Sequence, residues 1–261
     1  MASLQLNSLC FGYAGQSFNR PLTLDIRSGQ FWAVLGENGV GKSTLMATLA
    51  GLMPAVSGHV FVDGVDIRRC PRKVLARRLG LLLQQVDASF PYSVREAVSA
   101  GRYAHRPPWR RLNAEDHRQV AQALARTGLE ELADRRTDEL SGGEQRRVAI
   151  ATLLAQHPGV LLLDEPVNHL DVRHEVELMG HFRDYAAQEG LVMVSLHDVN
   201  LASQYADRLL LLYPDGDWEE GEPDTLLTEE RLERLYGVPL SAVGSDEYRF
   251  WVPLGRHGRR G

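Results

Sequence analysis

Gly36-Glu37-Asn38-Gly39-Val40-Gly41-Lys42-Ser43-Thr44 decides the fold. The stretch directly follows an apolar run, Phe31 to Leu35, and precedes Leu45 to Ala50, which is compatible with a helix. A glycine-rich turn between a strand and a helix lets backbone N–H groups point inward around phosphate oxygens, and the helix start adds the positive end of its dipole. Lys42 would reach the outer phosphates, and the hydroxyl of Ser43 suits magnesium. The stretch therefore predicts a nucleoside triphosphate site on an α/β fold. Of the 29 basic residues only Lys42 and Lys73 are lysine, so most basic positions tolerate arginine. A planar guanidinium fork would not enter a narrow loop as a compact ammonium does, which fits a lysine kept at position 42.

Outward from this loop, Leu79 to Leu83, Val160 to Leu163 and Leu191 to Val194 repeat the pattern of Phe31 to Leu35. Short, continuously apolar runs are the mark of parallel strands covered on both faces. Leu4 and Leu6, then Leu22, Leu24 and Ile26, and Val60 and Val62 ahead of Asp63-Gly64, alternate with polar residues and predict an antiparallel β-subdomain. From Val94 to Leu132 the pattern turns helical, with Val120, Leu124 and Leu129 at near-helical spacing and a loop at Arg106-Pro107-Pro108-Trp109. This predicts an inserted helical lobe at about 86–158 within a domain spanning 1–244, followed by a tail at 245–261. A short helix is expected near Glu229 to Tyr236.

The run Val160 to Leu163 ends in Asp164-Glu165-Pro166. Parallel sheets present their chemistry at the carboxyl edge, so Asp164 suits magnesium and Glu165 stands where a carboxylate could polarise an attacking water. Leu140-Ser141-Gly142-Gly143-Glu144-Gln145 opens a helical run to about Ala155, a second anion-binding helix start. This stretch resembles the LSGGQ signature of ABC ATPases, with Glu144 in place of the commoner Gln.

That resemblance covers roughly residues 4 to 240 and implies an ABC ATPase fold: a P-loop core with a parallel sheet, an antiparallel β-subdomain and a helical subdomain. It implies that Tyr13 stacks on adenine and that Gln84, adjacent to Gln85, is the Q-loop glutamine, a magnesium ligand with Ser43 and Asp164. It implies Asn168-His169-Leu170-Asp171 as the D-loop and His197 as the switch histidine. ATP and Mg2+ are then the cofactors. The phosphate loop of one copy would face Ser141 and Gly143 of another, with Glu165 as general base, which makes the working unit a homodimer.

Gly101-Arg102-Tyr103-Ala104-His105 and His197-Asp198-Val199-Asn200 resemble the ATPases of importers for iron-siderophores, haem and vitamin B12. Implied partners are transmembrane permease subunits and, indirectly, a periplasmic or lipoprotein solute-binding protein. The alternatives are an exporter ATPase or an ABC protein acting on ribosomes or DNA. The net charge of −5 gives no electrostatic reason to expect nucleic acid. No run of about 18 apolar residues occurs and Met1 to Leu9 lacks signal-peptide features, so the chain is expected to stay in the cytoplasm; the resemblance then implies a peripheral place on the cytoplasmic face of the inner membrane. Cys10 and Cys70 have no metal-ligand spacing and are read as buried or incidental thiols.

Overall fold

The structure, a computed structural model, describes residues 1–261 except 14, 15, 19, 85–91, 108, 169, 189, 246–248 and 255–261, and at 13, 16 and 17 it describes the backbone alone. Strands β1 (Ser3–Cys10), β2 (Gly12–Tyr13), β3 (Gln16–Ser17) and β4 (Leu22–Arg27) lead into β5 (Phe31–Leu35) and helix α1 (Lys42–Leu49). Then come β6 (Ser57–Val62), β7 (Val65–Asp66), α2 (Arg72–Leu75) and β8 (Leu79–Leu82).

The alternating segments pair antiparallel as predicted, in the order β4-β1-β6-β7. Leu4 lies between Ile26 and Val62, and Leu6 between Leu24 and Val60, so one face of this sheet is apolar throughout. Asp63 and Gly64 both take positive φ, which suits the two-residue turn from Val62 to Val65.

Among the described residues the α-helices of the lobe are α3 (Val94–Ser99), α4 (Ala114–Arg126) and α5 (Gly142–Gln156). Each starts with a capping box, from Ser93 and Glu96, Asn113 and Asp116, and Ser141 and Glu144 respectively. A 3-10 helix at Ala100–His105 packs on α5 so closely that a Cβ at Gly101 would lie 2.2 Å from the carbonyl oxygen of Thr152. Arg102 is buried there, with Nε donating to Asp116 Oδ1 at 2.8 Å and Nη1 to the carbonyl of Ala155 at 2.9 Å. The importer-like string thus contributes a glycine and an arginine to the packing of the lobe and leaves Tyr103 exposed.

The chain continues through β9 (Val160–Asp164), α6 (Val172–Gln188), β10 (Leu191–Ser195), α7 (Val199–Tyr205), β11 (Arg208–Leu212), β12 (Trp218–Gly221), α8 (Pro223–Leu226) and α9 (Glu229–Tyr236). The central sheet has the order β12-β11-β5-β10-β9-β8, with β12 the antiparallel edge. Phe31, Ala33 and Leu35 face the side that carries the lobe helices, while Trp32 and Val34 face the antiparallel sheet and α1. Successive residues of one strand therefore serve opposite cores, which is why these strands are apolar without a break. Leu209 to Leu212 have the same pattern and form a further parallel strand that the sequence reading did not name.

The C-terminal boundary differs from the predicted tail at 245–261. Strand β13 (Leu240–Gly244) pairs antiparallel with β14 (Arg249–Pro253), and Trp251 is buried against the core. Asn200 of α7 fastens this hairpin through both backbone polar groups of Trp251. Cys70 is buried and Cys10 half-buried, and both are free thiols. Among the described residues, no helix is long and apolar enough to cross a membrane.

Candidate functional site

The carboxyl ends of β5, β8, β9 and β10 lie side by side, and each delivers one piece of the predicted site. From β5 comes the glycine-rich loop. Gly39 and Gly41 adopt φ of +83° and +115°, backbone that favours glycine, and Gly41 directly precedes α1. Gly36 is glycine for another reason, since a Cβ there would lie 2.7 Å from the carbonyl oxygen of Leu212. The loop borders a cleft of about 460 Å³ lined by Phe11, Gly12, Phe18, Glu37 to Gly41, Thr44 and residues 213–216. Phe11 and Phe18 stack at 4.8 Å beside it. The side chain of Tyr13, the expected adenine partner, lies outside the described residues.

Lys42 is 4% exposed, and its Nζ donates to the carbonyls of Gly36 at 2.7 Å and Glu37 at 3.1 Å. Burial pulls its pKa below the usual lysine value, while the charges of Glu165 and Asp164 work against that shift. Ser43 follows on the exposed side of the helix start.

From β9 come the two carboxylates. Asp164 is buried and accepts from Ser195 Oγ at 2.6 Å through Oδ1. Glu165 takes a left-handed backbone, φ +49°, which turns its side chain away from the strand direction. Its N–H donates to Ser195 Oγ at 3.0 Å. Its Oε2 accepts from Gln84 Nε2 at 2.7 Å and from Asn168 Nδ2 at 2.6 Å, and its Oε1 contacts His197 Nε2. Gln84 arrives from the end of β8 and His197 from the end of β10, so three neighbouring strand ends converge on one carboxylate.

The predicted nucleotide and its metal fit these donors. Gly39 and Gly41 place no side chain of their own at the cleft, and the space around Gly39 is open, with no atom within 4 Å of a Cβ built there. Ser43, Gln84 and Asp164 offer the hard oxygens that magnesium takes. Gln84 bonds Glu165 through its nitrogen, which keeps its amide oxygen for a cation, and Asp164 has one carboxylate oxygen beyond the one that accepts from Ser195.

Leu140 is buried, and Ser141 caps α5. The N–H of Glu144 donates to Ser141 Oγ at 3.3 Å, and Glu144 Oε2 accepts from the Ser141 N–H and hydroxyl, each at 2.8 Å. The hydrogen bond from the Ser141 backbone, then that from its hydroxyl, holds the Glu144 carboxyl below its usual range. Glutamate therefore fills the helix-capping role that a glutamine would fill. Gly142 is open, with nothing within 4 Å of a built Cβ, and Gly143 follows in the first turn. Asp171 accepts from the His174 N–H at 3.0 Å ahead of α6. His169 of the same predicted loop lies outside the described residues, as does Gln85.

Three residues at this site were not singled out by the sequence reading. Asn168 was quoted only as part of a loop, yet it bonds Glu165 directly. Ser195 bridges the Glu165 N–H and the Asp164 carboxylate from the end of β10. Arg146, buried on α5, donates into the turns that follow β8 and β9. A serine ending an apolar strand is a weak signal, and one arginine in a chain whose basic residues are nearly all arginine is none.

A family model described as ABC transporter matches residues 19–168. The chain is 39% identical to the ferric enterobactin transport ATP-binding protein FepC of Escherichia coli (strain K12), over 98% of this chain and 96% of that protein. It is 37% identical to the hemin import ATP-binding protein HmuV of Bordetella avium (strain 197N), over 90% of this chain and 92% of that protein. A solved inward-facing ABC transporter assigned to the metal-chelate type superposes with a TM-score of 0.84 at 29% identity, covering 98% of this chain and 99% of that one.

Proposed function

This chain belongs to the ABC transporter family as an ATP-binding, ATP-hydrolysing member, and from that premise we propose that it drives uptake of a metal chelate of the siderophore, haem or cobalamin class. It acts as a homodimer docked on permease subunits at the cytoplasmic face of the inner membrane, fed indirectly by a solute-binding protein. Two ATP molecules lie at the seam. Each is held by the loop Gly36 to Thr44 of one copy, including Lys42 and Ser43, and by the signature Leu140 to Glu144 of the other. Tyr13 stacks on the adenine, and Asp171 lies at the seam.

The observation that carries the reading is the convergence on Glu165. Its carboxylate is oriented by Gln84, Asn168 and His197 and lies within electrostatic reach of Lys42. A base held in this way accepts the proton of an attacking water, while Lys42 and the loop N–H groups take up the charge that builds on the phosphoryl oxygens. Mg2+, held by Ser43, Gln84 and Asp164, would neutralise phosphate charge. His197 is the contact to the outer phosphate, and cleavage removes the group that bridges the two copies, so the pair reopens.

Glu165→Gln keeps the shape and removes the base, so ATP turnover should fall about 10²- to 10⁴-fold while nucleotide binding persists. Wild-type turnover in that variant would overturn the assignment. Import is tested in proteoliposomes holding the chain with its permease: ATP supplied on the side of this chain should draw a labelled ferric siderophore, haemin or cobalamin toward it. ATP-driven movement the other way would make the chain an exporter ATPase.

A further inference from the structure

The helix capped by Ser141 also carries a buried cation whose hydrogen bonds, among the described residues, go to backbone carbonyls and not to a carboxylate. Arg146 lies two residues beyond Glu144 and is 7% exposed. A guanidinium has five N–H donors in a rigid fork, and here all five meet backbone carbonyls. Nε donates to Pro166 at 3.1 Å. Nη1 donates to Leu83 at 2.5 Å and Gln84 at 3.1 Å, and Nη2 to Asp164 at 2.9 Å and Glu165 at 2.8 Å.

These five carbonyls belong to two turns only, the exit from β8 and the exit from β9. The first turn carries Gln84 and the second carries Asp164 and Glu165. Backbone that has left a sheet has lost its ladder partners, and its orientation is set by whatever accepts or donates next. Here one side chain sets both. Neither turn can rotate without stretching a bond to the guanidinium, and the guanidinium cannot move without α5. The fork pins the bases of the two side chains whose tips meet at 2.7 Å, Gln84 Nε2 and Glu165 Oε2.

We propose that Arg146 is a positioning residue for ATP hydrolysis, its guanidinium holding the turns of Gln84 and Glu165 in register with each other and with the helix capped by Ser141. The inference rests on the reading of Glu165 as the base. Lysine cannot replace it, because an ammonium offers three donors without the planar fork and leaves at least two carbonyls unmet. Nor does any of the five bonds reach the cleft beside Lys42, so nucleotide binding is not what Arg146 serves.

The test measures steady-state ATP hydrolysis, nucleotide binding and thermal unfolding on the full chain carrying Arg146→Lys, Arg146→Gln and Arg146→Ala, beside Glu165→Gln. The expected result for Arg146→Lys and Arg146→Gln is a kcat lowered about 10- to 100-fold, since displacing a reacting group by roughly 1 Å costs that much, with KM for ATP within about threefold of wild type. Guanidinium at non-denaturing concentration should restore part of the kcat of Arg146→Ala. Wild-type kcat in Arg146→Lys and Arg146→Gln would overturn the proposal. So would a loss of activity matched by loss of nucleotide binding and of the thermal transition, because the arginine would then serve the fold alone. Glu165→Gln separates the two levels: if it hydrolyses ATP normally the reading of the site fails, whereas if it is slow and Arg146→Lys is not, only the role of Arg146 fails.

Discussion

Asp116→Asn isolates the buried charge of Arg102 without changing the volume of the lobe. Both partners are almost fully buried, Asp116 at 3% and Arg102 at 6% exposure, and they meet at 2.8 Å. Removing one member of a buried ion pair costs about 3–5 kcal/mol, because the remaining charge is left without compensation. The lower end applies, since an asparagine oxygen still accepts one hydrogen bond and Arg102 keeps the carbonyl of Ala155. About 3 kcal/mol is a large part of the roughly 5–15 kcal/mol that holds a domain folded. At roughly 2–4 °C per kcal/mol for a chain of this size, the midpoint should fall by about 6–12 °C. Urea unfolding at neutral pH reads the same difference as a lower midpoint with an unchanged slope. The difference should also depend on pH. Burial raises the pKa of Asp116, but the hydrogen bonds from Arg102 and from the Asn113 N–H, with the charges of Arg102 and His105, outweigh it and hold the carboxyl below its usual value. A depressed pKa contributes stability that is full above the unfolded value of about 4 and is lost as pH falls through the folded value. The gap between wild type and Asp116→Asn should therefore narrow only below about pH 4. Replacing both partners by leucine should recover most of the loss. A change of less than about 1 kcal/mol at pH 7 would refute this account of the lobe.

Gly101→Ala places a methyl 2.2 Å from the Thr152 carbonyl, a backbone atom that cannot rotate away, so the 3-10 helix must shift off α5. A loss of about 1–3 kcal/mol is expected in the same urea assay, and an unchanged midpoint would show that the close approach is not required. Ser195→Ala leaves the Glu165 N–H and one Asp164 oxygen without their shared partner at a fully buried position. Stability should fall by about 1–3 kcal/mol and ATP turnover should slow while nucleotide binding persists. Retained turnover would show that Glu165 is held without Ser195.

The parts legible in the sequence are those whose reason is local. Gly39 and Gly41 are needed by their own φ, Asp164 and Glu165 by ending an apolar strand, and Ser141 with Glu144 by opening a helix. The capping box at Asn113 and Asp116 is equally local, since an asparagine three residues ahead of an acid at the opening of an apolar-spaced run marks a helix start. What could not be read depends on neighbours distant in sequence. Arg146 reaches the carbonyl of Leu83 from another subdomain, and Ser195 bonds Asp164 only because β10 lies beside β9. The importer-like string agrees with the relatives the chain matches, but its physical part could not be read from the sequence. Gly101 and Arg102 are packing groups, one at the close approach to the Thr152 carbonyl and the other on Asp116 and the carbonyl of Ala155.

Glu165 shows why strand order decides the chemistry. A left-handed backbone costs a side-chain-bearing residue roughly 1–2 kcal/mol, so such a turn persists only where its surroundings fix it. Here every polar group of the residue is engaged: the N–H by Ser195 from β10, the C=O by Arg146 from α5, and the carboxylate by Gln84 from β8, Asn168 and His197. Two of these elements can act only because β8 and β10 are the immediate neighbours of β9 in the sheet. With β9 at an edge, one side of the carboxylate would face solvent, and Gln84 or His197 would have no route to it. The same argument puts Arg146 on the helix that packs across β8, because a donor serving both turns must lie over the gap between their strands.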